Sequence, residues 1–136
     1  MNRFPNSFAI AALALGALAT HGQAATITVC PDGSCNFTDP VAAIAAAAPN
    51  DIIEIHAGTY MLGSTISVVG GITGKPLVIR GAVDASGNPT TVLNAGGTKQ
   101  IFGLVALYND TVFENLVITN GWGEYGGAVH TYGAEA

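Results

Sequence analysis

The chain has 136 residues, of which 49% are apolar and only 10% charged, with 18 glycines. High hydrophobicity with little charge is the reverse of the composition that keeps a chain disordered. Four Lys and Arg against nine Asp and Glu give a net charge of −5, which leaves no basic footprint for phosphates and excludes nucleic acid as the main partner.

In chain order, the first feature is a leader. Arg3 precedes an apolar run over residues 9–19, and small residues follow, ending Gly22-Gln23-Ala24. A positive start, a short apolar stretch and small residues at the −3 and −1 positions describe a cleavable secretory signal peptide, with cleavage expected after Ala24. The run falls well short of the ~20 residues that a bilayer-spanning helix needs. The expected division is therefore a signal peptide over 1–24, an N-terminal strand, Cys loop and capping helix over 25–49, and strand-rich coils over 50–136. The mature chain has no membrane span in this reading and is exported: released outside the cell, held at its surface, or kept in a periplasm.

Cys30 and Cys35 enclose Pro-Asp-Gly-Ser, a turn-forming sequence. Export favours a disulfide between them. A redox motif wants two intervening residues rather than four, and a zinc site needs more ligands than two thiols, so no metal site is expected.

One helix stands out. Asp39 can cap it, Pro40 suits its first turn, and residues 41–48 run on to Pro49, which ends it. Val41, Ile44 and Ala48 form its narrow apolar stripe, so it reads as a lid on another layer.

After the helix the pattern is β. Thr, Val and Ile supply 33 of the 112 residues beyond Ala24, in short clusters punctuated by Gly, Asn, Asp and Pro. Alternate cluster centres recur at a spacing of 25 or 26: Ile53, Val78, Leu104 and Val129 in one series, Ile66, Val92 and Val117 in the other. A fixed period carried by strands predicts a solenoid of about three coils, two or three strands to each. Strand alternation then puts Ile53, Ile55, Leu77 and Ile79 inward, and Glu54, His56 and Arg80 outward. An odd offset would invert the faces, so the register between the first two coils is either 24, with His56 beside Arg80, or 26, with Glu54 beside it.

The run PNDIIEIHAGTY after an Ala-rich helix, then GITGKPLVIRGA, NLVITNG and GGAVHTYG, resembles the opening of the secreted right-handed parallel β-helix proteins, the pectate-lyase-like superfamily. Its nearest flavours are the alginate-lyase and chondroitinase-B-like enzymes and the β-helix repeat proteins of cell surfaces. The resemblance covers residues 26–133 and implies an all-β, right-handed parallel β-helix with a short N-terminal capping helix. Three residues follow that stretch, so the chain reads as the front of a longer protein. The segment CPDGSCNF also resembles pectin methylesterases, without a counterpart of their catalytic Asp segment.

Within that frame the outward residues Glu54, His56, Arg80, His130 and Tyr132 form a candidate ligand-binding strip. Trp122 and Tyr125, in a Gly-rich loop, are candidates for stacking on sugar rings. The same strip also fits an ordinary solvated strand face, where a Glu–Arg pair contributes under ~1 kcal/mol, and Trp122 also fits a side chain packed on the neighbouring coil. Asn115 and Asn120 suit Asn ladders at coil corners. Asn36-Phe37-Thr38 and Asn109-Asp110-Thr111 match the glycosylation sequon.

Two functions stay open. One is a secreted or cell-surface β-helix protein that contacts acidic or neutral polysaccharide or serves a structural role, with no complete catalytic set in this chain. The other is the N-terminal part of a polysaccharide lyase acting by β-elimination, its active site beyond residue 136. No cofactor is evident, and Ca2+ enters only with the lyase reading, because the acids Asp32, Asp39, Asp51, Asp84 and Asp110 are scattered rather than spaced as calcium ligands.

Overall fold

The computed structural model describes residues 22–69, 76–105 and 111–132. The signal-peptide reading over 1–21, Lys75 and the Asn109-Asp110 part of the second sequon lie outside the described residues. What is described is ten short strands and one helix: β1 (Thr26–Val29), α1 (Pro40–Ala46), β2 (Ile52–Ile55), β3 (Gly58–Met61), β4 (Ile66–Val69), β5 (Val78–Gly81), β6 (Thr91–Asn94), β7 (Phe102–Val105), β8 (Val112–Glu114), β9 (Leu116–Thr119) and β10 (Val129–Tyr132). Apart from the one helix the fold is all β, as expected.

The strands make three sheets, and every strand pair is parallel. Sheet A has the order β1-β2-β5-β8, sheet B β3-β6-β9, and sheet C β4-β7-β10. From β2 onward the chain therefore visits A, B and C in turn three times, and each circuit lies against the one before it. Strands repeating this way bury one face each, so their inward side chains stack into columns. Ile53, Ile55, Ile66, Ile79, Leu93 and Ile101 are all at most 1% exposed and form the centre of that core.

Residue spacing around a circuit is not constant, and here the expected period needs correction. Circuits run 26 residues from Thr26 to Ile52 and again from Ile52 to Val78, 25 from Thr91 to Leu116 and 27 from Phe102 to Val129. They lengthen to 33 from Gly58 to Thr91, 36 from Ile66 to Phe102 and 34 from Val78 to Val112. All three long circuits contain the excursion Val83–Pro89, closed by an antiparallel bridge between those two residues. Asp84 builds it: its Oδ1 accepts from the backbone N–H of Ser86 and Asn88 at 2.8 and 2.9 Å. The inserted turn shifts the partners across it, so that Val78 pairs with Val112 and Ile66 with Phe102. Outside it, Val92 does pair with Val117, while Ile53 pairs with Ile79 and Val129 with Phe102, one and two residues from the expected partners.

The helix forms where the Asp39 carboxylate caps the Val41 N–H at 2.9 Å and Pro40 takes the first turn. It lies on β1, β2 and β4. Its buried face is Pro40, Ala43, Ile44 and Ala47, whereas Val41 is half-buried and Ala48 exposed. The stripe of Val41, Ile44 and Ala48 is thus displaced, because the helix stops at Ala46 and Ala47 turns extended (ψ 144°). At the opposite end, β8–β10 carry half-exposed apolar side chains. A hollow of about 230 Å³ there is lined by Phe102, Leu104, Phe113, Leu116, Ile118 and Val129.

Corners need particular backbones. Asn50, Asn115 and Asn120 take left-handed conformations (φ 71°, 57° and 53°), which Asn tolerates better than other side chains. Asn120 Nδ2 donates to Asn94 Oδ1 one circuit below, at 3.1 Å, so the expected Asn ladder forms at that corner. Thr91 is fully buried and satisfied: its hydroxyl donates to the Ile55 carbonyl and accepts from Ala82 N–H, both at 2.8 Å. Gly81 stands where a Cβ would run into the Asn115 carbonyl oxygen and lie 2.9 Å from the Thr91 Cβ.

Two outcomes test this packing. Gly81→Ala is expected to cost about 3 kcal/mol in urea unfolding, because the nearest overpacked atom is the Asn115 backbone oxygen, which cannot yield as a side chain would, and Ile79→Asp is expected to abolish folding, since it puts an unpaired charge in the central column. The Asp84 carboxyl is held below its ordinary range by the Asn88 N–H and amide, followed by the Ser86 and Gly87 N–H groups. A depressed carboxyl contributes stability above its unfolded pKa and loses it as pH falls through the folded one. The thermal midpoint of Asp84→Asn is therefore expected to respond less to acidification below about pH 4 than that of the wild type.

Candidate functional site

Sheet A fixes the first polar surface. The observed register is 26, so Glu54 lies beside Arg80, and β8 adds Glu114 on the other side. Arg80 Nε donates to Glu114 Oε1 at 2.7 Å, and Arg80 Nη1 lies 3.9 Å from Glu54 Oε1. These side chains are 37–43% exposed. The guanidinium is thus shared between two carboxylates in an outward row, with Glu54, Arg80, Asn115 and His56 around a depression of about 280 Å³.

His56 sits one residue beyond β2, and Cys30 one beyond β1, so the pairing of Val29 with Ile55 brings the two together. His56 Nδ1 is 3.3 Å from Cys30 Sγ and 3.8 Å from Cys35 Sγ. Cys30 and Cys35 form the expected disulfide. A disulfide sulfur carries no proton, so this contact is a hydrogen bond only when Nδ1 is protonated. The three side chains are the one group with metal-ligand proximity among the described residues, but a metal needs thiolates, and both sulfurs are spent on each other. The adjoining loop is tightened by Asp32, whose Oδ1 accepts from the Ser34 hydroxyl at 2.7 Å and from its N–H at 3.0 Å. Those bonds hold the Asp32 carboxyl below its ordinary range. A second depression, of about 540 Å³, opens between this loop and His56. Tyr60 closes the corner from inside, donating to the carbonyls of Val29 and His56 at 3.2 and 3.0 Å. Burial pushes its phenol pKa up.

Sheet C fixes the second surface. His130 and Tyr132 alternate outward on β10, and their rings lie 3.9 Å apart between centroids. Tyr125, from the preceding Gly-rich loop, brings its ring to 6.1 Å from that of His130. Gln100 Nε2 lies 3.1 Å from His130 Nδ1 and orients the imidazole. Gly103 is the residue paired with His130, and having no side chain it leaves room beneath the rings. Tyr125 is 74% exposed, Trp122 63% and Tyr132 47%. Trp122 is thus mostly open to solvent, while its backbone N–H donates to the Lys99 carbonyl of the neighbouring coil at 2.8 Å.

No family model, curated protein or solved structure matches this chain. Its functional reading rests on these two surfaces.

The strip expected from the sequence is therefore divided. Glu54, His56 and Arg80 belong to sheet A, while His130 and Tyr132 stand on sheet C beside Tyr125. The five share one strip only if Val129 stacks in the same series as Ile53, and the excursion at Val83–Pro89 removes that premise. Sequence reasoning missed Glu114 and Gln100. Glu114 is 34 residues from Arg80, a distance hidden by the excursion, and Gln100 has no pattern of its own to announce it.

Arg80→Ala is expected to cost about 1 kcal/mol or less, and less again at high salt, because the row is well exposed and screened. Urea titrations at low and high ionic strength would measure it; a loss unchanged by salt would contradict the assignment.

Proposed function

We propose that this chain is a secreted right-handed parallel β-helix protein that binds polysaccharide at the cell surface through the aromatic platform of Tyr125, His130 and Tyr132. The observation that carries the reading is that aromatic cluster: Tyr132 stacks on His130, Tyr125 stands 6.1 Å from the same imidazole, and the two tyrosines keep much of their surface open to water. Aromatic faces carry negative charge density, and the C–H-rich face of a pyranose complements it. Exposed apolar rings are otherwise costly, and a contiguous group of them marks a binding surface.

The fold reading is supported by three all-parallel sheets visited in rotation and by a helix over one end. The right hand follows from the strong preference of parallel crossovers. The leader at 1–24 supports export, and among the described residues no helix is long and apolar enough to cross a membrane. Binding is favoured over β-elimination because Arg80, the cation on the sheet A row, is already engaged by Glu54 and Glu114, which leaves it poorly placed to neutralise a uronate carboxylate. Removal of the leader takes Arg3 and leaves three cations against nine acids, a net charge of −6, so neutral polysaccharide is expected to bind more tightly than pectate, alginate or chondroitin.

Affinity electrophoresis against gels holding each polymer tests this. The wild-type chain is expected to be retarded, and Tyr125→Ala and Tyr132→Ala each to weaken binding about ten-fold, as the loss of one stacking contact implies. Retardation unaffected by both substitutions would refute the platform. Incubation with the three acidic polymers is expected to yield no unsaturated product by ultraviolet absorbance, and turnover would favour the lyase.

A further inference from the structure

Asp51 is an anomaly in this fold. It is only 5% exposed, and among the described residues it has no cationic partner. Its two oxygens are instead spent on backbone. Oδ2 accepts from the Ala48 N–H at 2.8 Å, just past the helix, and Oδ1 accepts from the Ala25 N–H at 2.8 Å. A buried carboxylate without a countercharge is costly, and Ala25 is the residue expected to follow the signal-peptide cleavage. The Ala25 carbonyl accepts from Ile52 N–H at 2.8 Å, so the nitrogen is held at the carboxylate by strand pairing that does not involve the leader. Ala24 and Ala25 are both exposed.

We infer that Ala24–Ala25 is the processing site and that Asp51 is the receptor for the α-ammonium group that processing creates. The inference rests on the export reading and deepens it. A peptidase adds water across the Ala24–Ala25 bond. The C–N bond breaks, the leader departs as the Ala24 carboxylate, and the Ala25 amine takes up a proton. The atom facing Asp51 Oδ1 then changes from an amide nitrogen with one proton to an ammonium with three, and a hydrogen bond becomes an ion pair whose carboxylate side is buried. The pair ties together the new N-terminus, the end of the helix and the start of β2, so the finished fold is more stable than the precursor's.

The test uses the exported chain. Its N-terminus, read by sequencing and intact mass, is expected to be Ala25. Mature protein and a form extended by Gly22-Gln23-Ala24 are then compared by thermal melting, each with Asp51 and with Asp51→Asn. The extension is expected to lower the wild-type midpoint by about 5 °C and to have little effect in the Asp51→Asn variant. Cleavage at another bond, or an extension that costs the same with and without the substitution, overturns the inference and leaves export standing. A chain recovered with its leader intact overturns the export reading and the inference with it.

Discussion

The structure depends on one repeated interaction, the stacking of an inward apolar side chain on its counterpart one circuit earlier. Ile53 on Ile79 and Tyr60 on Leu93 are such steps, fixed by parallel registers that put like faces together. A parallel ladder tolerates no one-residue slip, because a slip would turn every buried side chain outward. Strands of three or four residues contribute little singly, so the columns hold only as a set. Burial declines from the helix-covered end toward β8–β10, where Phe113 and Ile118, paired with the fully buried Ile79 and Leu93, are 36% and 37% exposed.

The same constraint explains where polar chemistry is found. Between columns the chain must turn without orphaning backbone groups, and Thr91, Asp51 and Asn94 each satisfy backbone groups with a side chain. Outward positions are free of that duty and hold the Glu54–Arg80–Glu114 row and the aromatic platform.

Much of the fold was legible because it is local. The Asp39 cap, Pro40, the turn between the cysteines and the alternation around Ile53 and Ile79 are each read from a few neighbouring residues. The inward and outward assignment of Glu54 and Arg80 came from alternation, and the structure chose 26 over 24. Most of what was illegible depended on counting across Val83–Pro89, although Val129 also pairs with Phe102 instead of Leu104 beyond it. A turn stabilised by Asp84 and Asn88 adds residues without adding a strand, and a uniform period cannot register it. For that reason Val92 and Val117, after the excursion, were matched correctly, while Val78 and Leu104, which straddle it, were not. The candidate strip failed at the same place, since uniting His130 with His56 required the count to hold. Trp122 and Tyr125 were legible only as aromatics in a loop; that Tyr125 would meet His130 is a tertiary fact with no periodic trace.

The pairing of successive circuits is best tested by backbone NMR on the uniformly labelled chain, through cross-strand nuclear Overhauser effects. The account predicts parallel-sheet contacts joining Ile53 to Ile79, Val92 to Val117 and Phe102 to Val129, each at the offset given by the registers above. Close Hα–Hα contacts between any of these strands, the mark of antiparallel neighbours, would contradict it.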